Sequence, residues 1–393
     1  METHGTQQTS HTVFADTELL ELIGVRQIIH AHFDVRQMYV RGPVIRFEAT
    51  ALRGEWRTVR GAAGEFGYRA YLQRWGQNRF ICTMVKRERT PDPARRREMR
   101  IALIMFGLTV FTTITSNLIY GLLGIRVFVD GLSSPDRWNV IIAGLTQPGR
   151  WVEAIVFCAA LLFILGTHEM GHKLAAWRNG IDASPPKFIP MPWPFMGTMG
   201  AFIRLRSPMP DANAAVEMGL SGPLFGFLAA LPVLALGIYT SGHFPAAPIQ
   251  NSGGEILFEP IIFRVLAYHI IGIPSGHMIM LNSLGFAGWI GLLLTMMNLL
   301  PIGQLDGGHI VRSLLTTASH RFLSYAIIAV VIAMGVVTHY FGWYVWAFLT
   351  SILMRYKYPP YAGATEPMRF RNILFALIGL AIFILCFMPV PIS

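Results

Sequence analysis

Long apolar stretches constrain the fold of this chain more than any other feature. Several stretches close to ~20 residues long carry almost no charge, and an α-helix of that length crosses about 30 Å of hydrocarbon. Across the 393 residues, 53% are apolar and only 14% are charged, against about 25% charged in soluble domains. The sequence therefore predicts a polytopic α-helical membrane protein.

The apolar pattern predicts about seven membrane spans. They are residues 101–124, 151–176, 213–240, 284–304, 322–339, 341–357 and 370–390. The basic run from Lys86 to Arg100 precedes the first span and places the amino terminus in the cytoplasm by the positive-inside rule. Seven spans threaded from that side return the later basic loops to the cytoplasm. Pro301 and the glycines after it indicate that the fourth span ends or unwinds near Asp306.

The segment before the first span has a different pattern. Residues 1–15 form a polar tail, and residues 16–90 mix a helical stretch with short alternating runs typical of strands. We expect a small soluble α+β domain at 16–90, a basic linker at 91–100 and a membrane domain at 101–393. No apolar core of a secretory signal is present in the first thirty residues.

The net charge of +10 does not indicate a nucleic-acid-binding protein. Much of it lies in the basic run before the first span, and no recognition motif accompanies it. The three cysteines, Cys82, Cys158 and Cys386, are too few and too scattered to predict a disulfide framework or a cysteine zinc site. The composition is thus typical of a membrane protein and predicts no nucleic-acid partner.

The clearest chemical motif is His168-Glu169-Met170-Gly171-His172. Residues four apart lie on one face of a helix, so both imidazoles can reach one metal ion, and Glu169 is placed to take a proton from a water molecule beside it. The alternative is two histidines satisfied by backbone groups or water. That alternative is weak because ionisable groups at the end of an apolar span cost roughly several kcal/mol unless they are paired or ligated.

Two histidines leave a tetrahedral zinc ion short of a protein ligand. The segment that begins at Asn298 and continues through Asp306-Gly307-Gly308-His309 returns to the same side of the membrane. Asp306 offers an anionic oxygen and is the predicted third ligand. His309 is the rival ligand, or a hydrogen-bond partner of one.

Together these motifs resemble those of the site-2 protease family of intramembrane zinc metalloproteases. The likeness extends from about Trp151 to His309 and includes Gly197-Thr198-Met199-Gly200 and Gly222-Pro223-Leu224-Phe225-Gly226. The amino-terminal segment loosely resembles that of a prokaryotic and chloroplast subgroup. No insert resembling a PDZ domain separates the predicted core spans.

The resemblance implies a protease core of three helices, at about 151–310, around one Zn²⁺. It implies His168, His172 and Asp306 as metal ligands and Glu169 as the catalytic base. Asn298 matches the asparagine of the family that helps to hold substrate or the oxyanion. Gly197, Thr198, Met199 and Gly200 belong to a segment that resembles a membrane-embedded hairpin, which pairs with an unwound substrate strand.

The expected function is therefore hydrolysis of peptide bonds within or near transmembrane segments of other proteins. The expected partners are transmembrane protein substrates and the lipid bilayer, and the expected location is a prokaryotic cell membrane. A metal transporter with a His/Asp site and a catalytically inactive membrane scaffold are the alternatives. The sequence names neither the substrate nor the oligomeric state.

Overall fold

The computed structural model describes most of the chain. The described residues are 16–41, 44–74, 79–86, 93–130, 142, 145–191, 196–206, 209–245, 258–272, 277–354 and 368–389. The predicted tail at 1–15 and residues 87–92 lie outside these ranges. The chain divides into two compact units, Met1–Thr90 with Pro360–Glu366, and Pro91–Pro359 with Pro367–Ser393.

The amino-terminal unit contains a four-stranded antiparallel sheet with strand order β1-β2-β4-β3. Its elements are α1 (Asp16–His32), β1 (Phe33–Arg41), β2 (Val44–Leu52), α2 (Trp56–Glu65), β3 (Tyr68–Arg74) and β4 (Phe80–Lys86). In β2, the apolar side chains Ile45, Phe47 and Ala49 are buried at every second position, as a sheet with one covered face requires. The alternating runs recognised in the sequence lie in β2, β3 and β4, whereas β1 and α2 gave no such signal.

The second unit is mostly helical. Its helices are α3 (Pro93–Asp130), α4 (Pro148–Arg178), α5 (Ala212–Thr240), α6 (Ile261–Ile271), α7 (Ser283–Asn298), α8 (Asp306–Leu314), α9 (Thr317–Thr338), α10 (Gly342–Met354) and α11 (Phe370–Cys386). Two short two-stranded antiparallel sheets lie among them. One is the hairpin of β5 (Lys187–Pro190) and β6 (Thr198–Phe202), and the other pairs β7 (Gly242–Pro245) with β8 (His277–Met280), which follows α6 in the chain.

Within the described residues, four helices are long and apolar enough to cross a membrane. These segments are Arg95–Ile119, Pro148–Arg178, Ala212–Thr240 and Ala318–Thr338. The other three predicted spans correspond to α7, α10 and α11, which have 16, 13 and 17 residues. The structure thus supports a multi-span helical protein, and the count of seven spans stays a prediction.

Two boundaries differ from the sequence expectation. Residues 93–100, expected in a linker, form the first turns of α3, because Arg95 to Arg100 are good helix formers after a proline at the first position. The predicted span at 284–304 ends as a helix at Asn298. Pro301 cannot continue an α-helix, so the chain makes a short irregular connection before α8 begins at Asp306.

Glycines allow α5 and α7 to pack closely. Gly237 of α5 lies against Gly285 of α7. One turn away along the contact, a Cβ built on Gly288 would lie 2.7 Å from Cα of Leu234. The indole of Trp289 is buried beside this contact. Helix α4 packs on both α5 and α7. The distance between α5 and α7 therefore determines the position of α4, which carries the candidate site.

We expect Gly288→Ala to destabilise the protein by about 1–3 kcal/mol, because the new methyl group overpacks the contact with Leu234. Gly107→Ala is the matched control, since a Cβ at Gly107 of α3 would meet no atom within 4 Å. The control is expected to be neutral or to stabilise the helix by up to about 1 kcal/mol. Midpoints of thermal unfolding in detergent micelles measure both, and equal midpoints would contradict the packing argument.

Candidate metal site

Two imidazoles of α4 face each other inside the second, helical unit. The Nε2 atoms of His168 and His172 are 3.2 Å apart, and both side chains are buried. The i, i+4 spacing brings them to one face of the helix, and their rings meet edge to face at a centroid distance of 4.9 Å.

Asp306 approaches both imidazoles from another part of the chain. One carboxylate oxygen lies 3.3 Å from Nε2 of His168, and the other lies 3.3 Å from Nε2 of His172. Asp306 is the first residue of α8, so the irregular connection after α7 delivers its side chain to the face of α4. The structure therefore brings these three predicted residues together.

Glu169 lies beside the same cluster. Its side chain is buried, and donor atoms of His168, Glu169 and His172 all lie within 4.8 Å of one another. The Oε2 atom of Glu169 is buried without a hydrogen-bond partner among the described residues. A buried carboxylate oxygen without a hydrogen bond destabilises the fold unless a water molecule or a ligand donates to it.

The backbone of α5 orients His172. Its Nδ1 atom lies 2.9 Å from the carbonyl oxygen of Met218. A carbonyl oxygen only accepts hydrogen bonds, so in the neutral ring the proton is on Nδ1 and the Nε2 lone pair faces the cluster. This is the tautomer that a metal ligand requires.

A glycine face on α5 makes room for the cluster. Gly219, Gly222 and Gly226 follow one another at i, i+3 and i+7, so they lie on one side of the helix. A Cβ built on Gly219 would lie 2.5 Å from the backbone oxygen of Asp306, and one on Gly226 would lie 3.0 Å from Nδ1 of His168. A Cβ on Gly222 would overlap the imidazole of His172.

Close backbone approach also explains the two glycines after Asp306. A Cβ on Gly307 would overlap the carbonyl oxygen of Leu299, and one on Gly308 would overlap that of Gly303. The irregular connection after α7 thus folds back over the first turn of α8. The glycines are needed for this contact rather than for flexibility.

The donor set fits a tetrahedral metal ion. Two ligands at 2.0–2.1 Å from a tetrahedral centre lie about 3.4 Å apart, and the separations here are 3.2 Å between the imidazole nitrogens and 3.3 Å from each nitrogen to a carboxylate oxygen. Nitrogen and oxygen donors of this kind suit Zn²⁺, with a fourth position open for water or substrate.

Two other predicted residues lie near this cluster along the chain. His309 follows Asp306 by one turn of α8, and its Nδ1 atom is buried without a hydrogen-bond partner among the described residues. Asn298 is half-buried at the carboxyl end of α7. Of the two candidates for the third ligand, Asp306 is the one whose carboxylate oxygens lie 3.3 Å from the imidazole nitrogens of His168 and His172.

The segment with Gly197, Thr198, Met199 and Gly200 forms the end of the β5–β6 hairpin. In this two-stranded sheet, Phe188 pairs with Ala201, and Pro190 pairs with Thr198 after an irregularity in the register. Phe188 approaches α4 at Gly166, two residues before His168. The hairpin therefore runs beside the helix that carries the imidazoles.

Sequence reasoning missed part of this arrangement. The carbonyl of Met218 carries no side-chain signal, so no motif could reveal it. The spacing of Gly219, Gly222 and Gly226 was available, because small residues three and four positions apart in an apolar span indicate close helix packing. The spacing alone does not say that the packed groups are metal ligands.

Comparison with known proteins gives the class of this arrangement. Residues 156–342 match the family described as peptidase family M50. Over these residues the chain is similar to peptidase family M50, the family of the site-2 proteases, and its long apolar helices are those of a membrane protein. The predicted resemblance to this family is confirmed over the matched region.

The similar curated proteins are plant proteins with longer chains. The "probable zinc metalloprotease EGY1, chloroplastic" of Arabidopsis thaliana is 32% identical over 162 residues, which cover 40% of this chain and 29% of that protein. The EGY1 protein of Oryza sativa subsp. japonica is 27% identical over 56% of this chain and 38% of its own length. The EGY2 protein of Arabidopsis thaliana is 30% identical over 38% of this chain and 27% of its own length.

The matched region spans about a third of the length of these relatives. No solved structure matches the chain significantly.

Gly222→Ala should lower the affinity for Zn²⁺ by at least about 10-fold, because the new methyl group displaces the imidazole of His172. Gly149→Ala on α4 is the control, since a Cβ there meets no atom within 4 Å. Zinc bound per mole of purified protein, titrated against a fluorescent chelator, measures both. Unchanged affinity in Gly222→Ala would show that the ring is free to move away.

Asp306→Asn and His309→Ala separate the two candidates for the third ligand. Loss of a ligand should weaken Zn²⁺ binding by more than about 100-fold, since removal of a ligand's hydrogen-bond partner alone costs about 10- to 100-fold. We expect the larger loss in Asp306→Asn, whose carboxylate lies within 3.3 Å of both imidazoles. The reverse order would assign the ligand to His309.

Proposed function

We propose that the protein is an intramembrane zinc metalloprotease, which hydrolyses peptide bonds within or near transmembrane segments of other proteins. The observation that carries this proposal is the convergence of His168, His172 and Asp306 beside the buried carboxylate of Glu169, whose Oε2 atom has no hydrogen-bond partner among the described residues. The match of residues 156–342 to peptidase family M50 supports it, as do relatives whose names include "probable zinc metalloprotease". The same names support Zn²⁺ as the cofactor.

His168, His172 and Asp306 would hold the metal through Nε2, Nε2 and a carboxylate oxygen. A bound zinc ion supplies Lewis-acid polarisation of the scissile carbonyl and lowers the pKa of water toward about 7. The hydrogen bond to Met218 keeps the Nε2 lone pair of His172 directed at the metal position.

Glu169 moves the proton in this mechanism. Its Oε2 atom accepts a proton from the attacking water, whose oxygen forms a bond to the carbonyl carbon of the peptide. Glu169 then donates that proton to the leaving nitrogen as the C–N bond breaks. Because the carboxylate is buried and its Oε2 has no partner among the described residues, it is available for both steps.

The substrate must be unwound before it can be cut, because helical hydrogen bonds shield its peptide groups. Freed backbone groups cannot stay unpaired in lipid, and the edge of the β5–β6 hairpin offers them partners by strand addition. Gly197, Thr198, Met199 and Gly200 are the proposed substrate-binding residues on this edge. Asn298 is the proposed second contact, to substrate or to the developing oxyanion.

A larger arrangement surrounds this site in the proposal. Seven spans, with a protease core of three helices at about 151–310, would place the amino terminus and the soluble domain at 16–90 in the cytoplasm. The match at 156–342 supports the core. The names of the plant relatives say chloroplastic, so they do not support the expected prokaryotic cell membrane.

The alternatives are a metal transporter and an inactive scaffold. A transporter needs polar groups along several spans, whereas the described ligand candidates cluster at one place. An inactive scaffold usually lacks the base or a ligand, whereas this sequence has Glu169 and all three candidate ligands. The family match does not favour either alternative.

Glu169→Gln should retain Zn²⁺ but lower cleavage of a membrane-reconstituted substrate peptide by at least about 100-fold, because the amide cannot accept the proton. Glu153→Gln is the control, since Glu153 is an exposed glutamate on the same helix. Mass spectrometry of the products and zinc analysis of both variants give the result. Wild-type-like cleavage by Glu169→Gln would refute the base assignment.

A further inference from the structure

The hairpin beside the candidate site is attached to α3 along much of its length. At its base, Arg95 of α3 donates to Asp182 at 3.0 Å. Glu98 accepts a hydrogen bond from Arg206, which also lies 3.4 Å from Asp182. Both arms of the hairpin are therefore bound to the first turns of α3 by charged groups.

Aromatic packing continues the attachment at mid-length. The rings of Phe106 and Phe188 meet edge to face, with centroids 5.2 Å apart. Phe188 reaches the surface of α4 at Gly166 from the same strand. Phe106 is about 12 Å along α3 from Glu98, at about 1.5 Å per residue. The hairpin thus runs along α3 and contacts both α3 and α4.

The inner end of the hairpin is held by one side-chain hydrogen bond. The hydroxyl of Thr112 donates to the carbonyl oxygen of Gly197 at 2.7 Å, and both residues are buried. Two carbonyls of α3 itself lie 3.0 and 3.2 Å from the same hydroxyl. A hydroxyl has one proton, and the shortest distance identifies Gly197 as its acceptor.

Gly197 can accept this bond only because it has no side chain. It has a φ of +67°, and a Cβ there would overlap the backbone of α3 at Thr112 and Thr113. The same Gly197 carbonyl accepts from the backbone N–H of Met191 at 3.1 Å, so it closes the hairpin and contacts α3 at one point. Thr198, the first residue of β6, follows directly.

We propose that Thr112 is a positioning residue, which fixes the depth and register of the strand that receives the unwound substrate. This inference rests on the proposed function and extends the substrate-binding machinery to α3, outside the region 156–342 that matches the family. Displacing the Gly197 carbonyl moves the start of β6. The edge presented to the substrate moves with it, whereas His168 and His172 stay on α4.

Three variants test the role of the Thr112 hydroxyl. Thr112→Val removes it at nearly constant shape, and Thr112→Ser retains it. Thr115→Val is the matched control, because the Thr115 hydroxyl bonds only to carbonyls of its own helix among the described residues. The probe is a synthetic single-span peptide with central glycine and proline residues, reconstituted with each variant of the full chain in phospholipid vesicles.

We expect Thr112→Val to raise KM about 2- to 10-fold, which corresponds to one hydrogen bond, with kcat and zinc content unchanged. Thr112→Ser and Thr115→Val should keep the wild-type KM. A second measurement needs no turnover. A photoreactive amino acid replaces Met199, which is 45% exposed on β6, in the Glu169→Gln variant, and its crosslinking to the peptide is measured. Its crosslinking to the peptide should fall by the same factor in Thr112→Val only.

Equal KM and crosslinking in Thr112→Val and Thr115→Val would overturn the inference. A lower kcat or zinc content at constant KM would also overturn it, because the residue would then act on the metal site. If the wild-type protein does not cut the peptide, the proposed function fails instead. Should Thr112→Val not accumulate, Thr112→Ala removes the same hydroxyl and carries the same expectations.

Discussion

The close approach of α5 to the ligand candidates is the constraint on which the site depends. Three glycines of one helix face leave no space for a side chain between α5 and Asp306, His172 and His168. Ionisable groups in an apolar surrounding must be ligated, paired or hydrogen-bonded. The missing Cβ atoms allow that pairing, because they let the candidate ligands of two other helices come within 3.3 Å of one another.

Helix α5 also determines the tautomer and the position of the His172 ring. The Met218 carbonyl of α5 sets the tautomer of His172, and the neighbouring glycines fix where the ring lies. On the other side of α4, the hairpin is fastened to α3 by charged groups, aromatic rings and the Thr112 hydroxyl. The site is therefore held from two sides, with the metal-ligand candidates on rigid helices and the proposed substrate edge on a separately anchored strand.

Much of the candidate site could be predicted from the sequence. The His168 to His172 spacing and Asp306 followed by glycines pointed to residues that the structure brings within 3.3 Å. The number of spans does not follow from the sequence, because α7, α10 and α11 have 17 residues or fewer and hydropathy does not distinguish a span from a shorter buried helix. Strand β1 was missed since its residues do not alternate regularly between apolar and polar.

The sequence by itself determined the donor types, their helical spacing, the apolar setting and the presence of a glutamate beside the two histidines. These follow from local rules, because residues four apart on a helix always share a face. Tertiary structure alone decided which distant groups meet there. The contact of Gly222 with His172, the carbonyl of Met218 and the bond from Thr112 to Gly197 join segments 46 to 85 residues apart. Such contacts depend on how helices pack, which no single segment encodes.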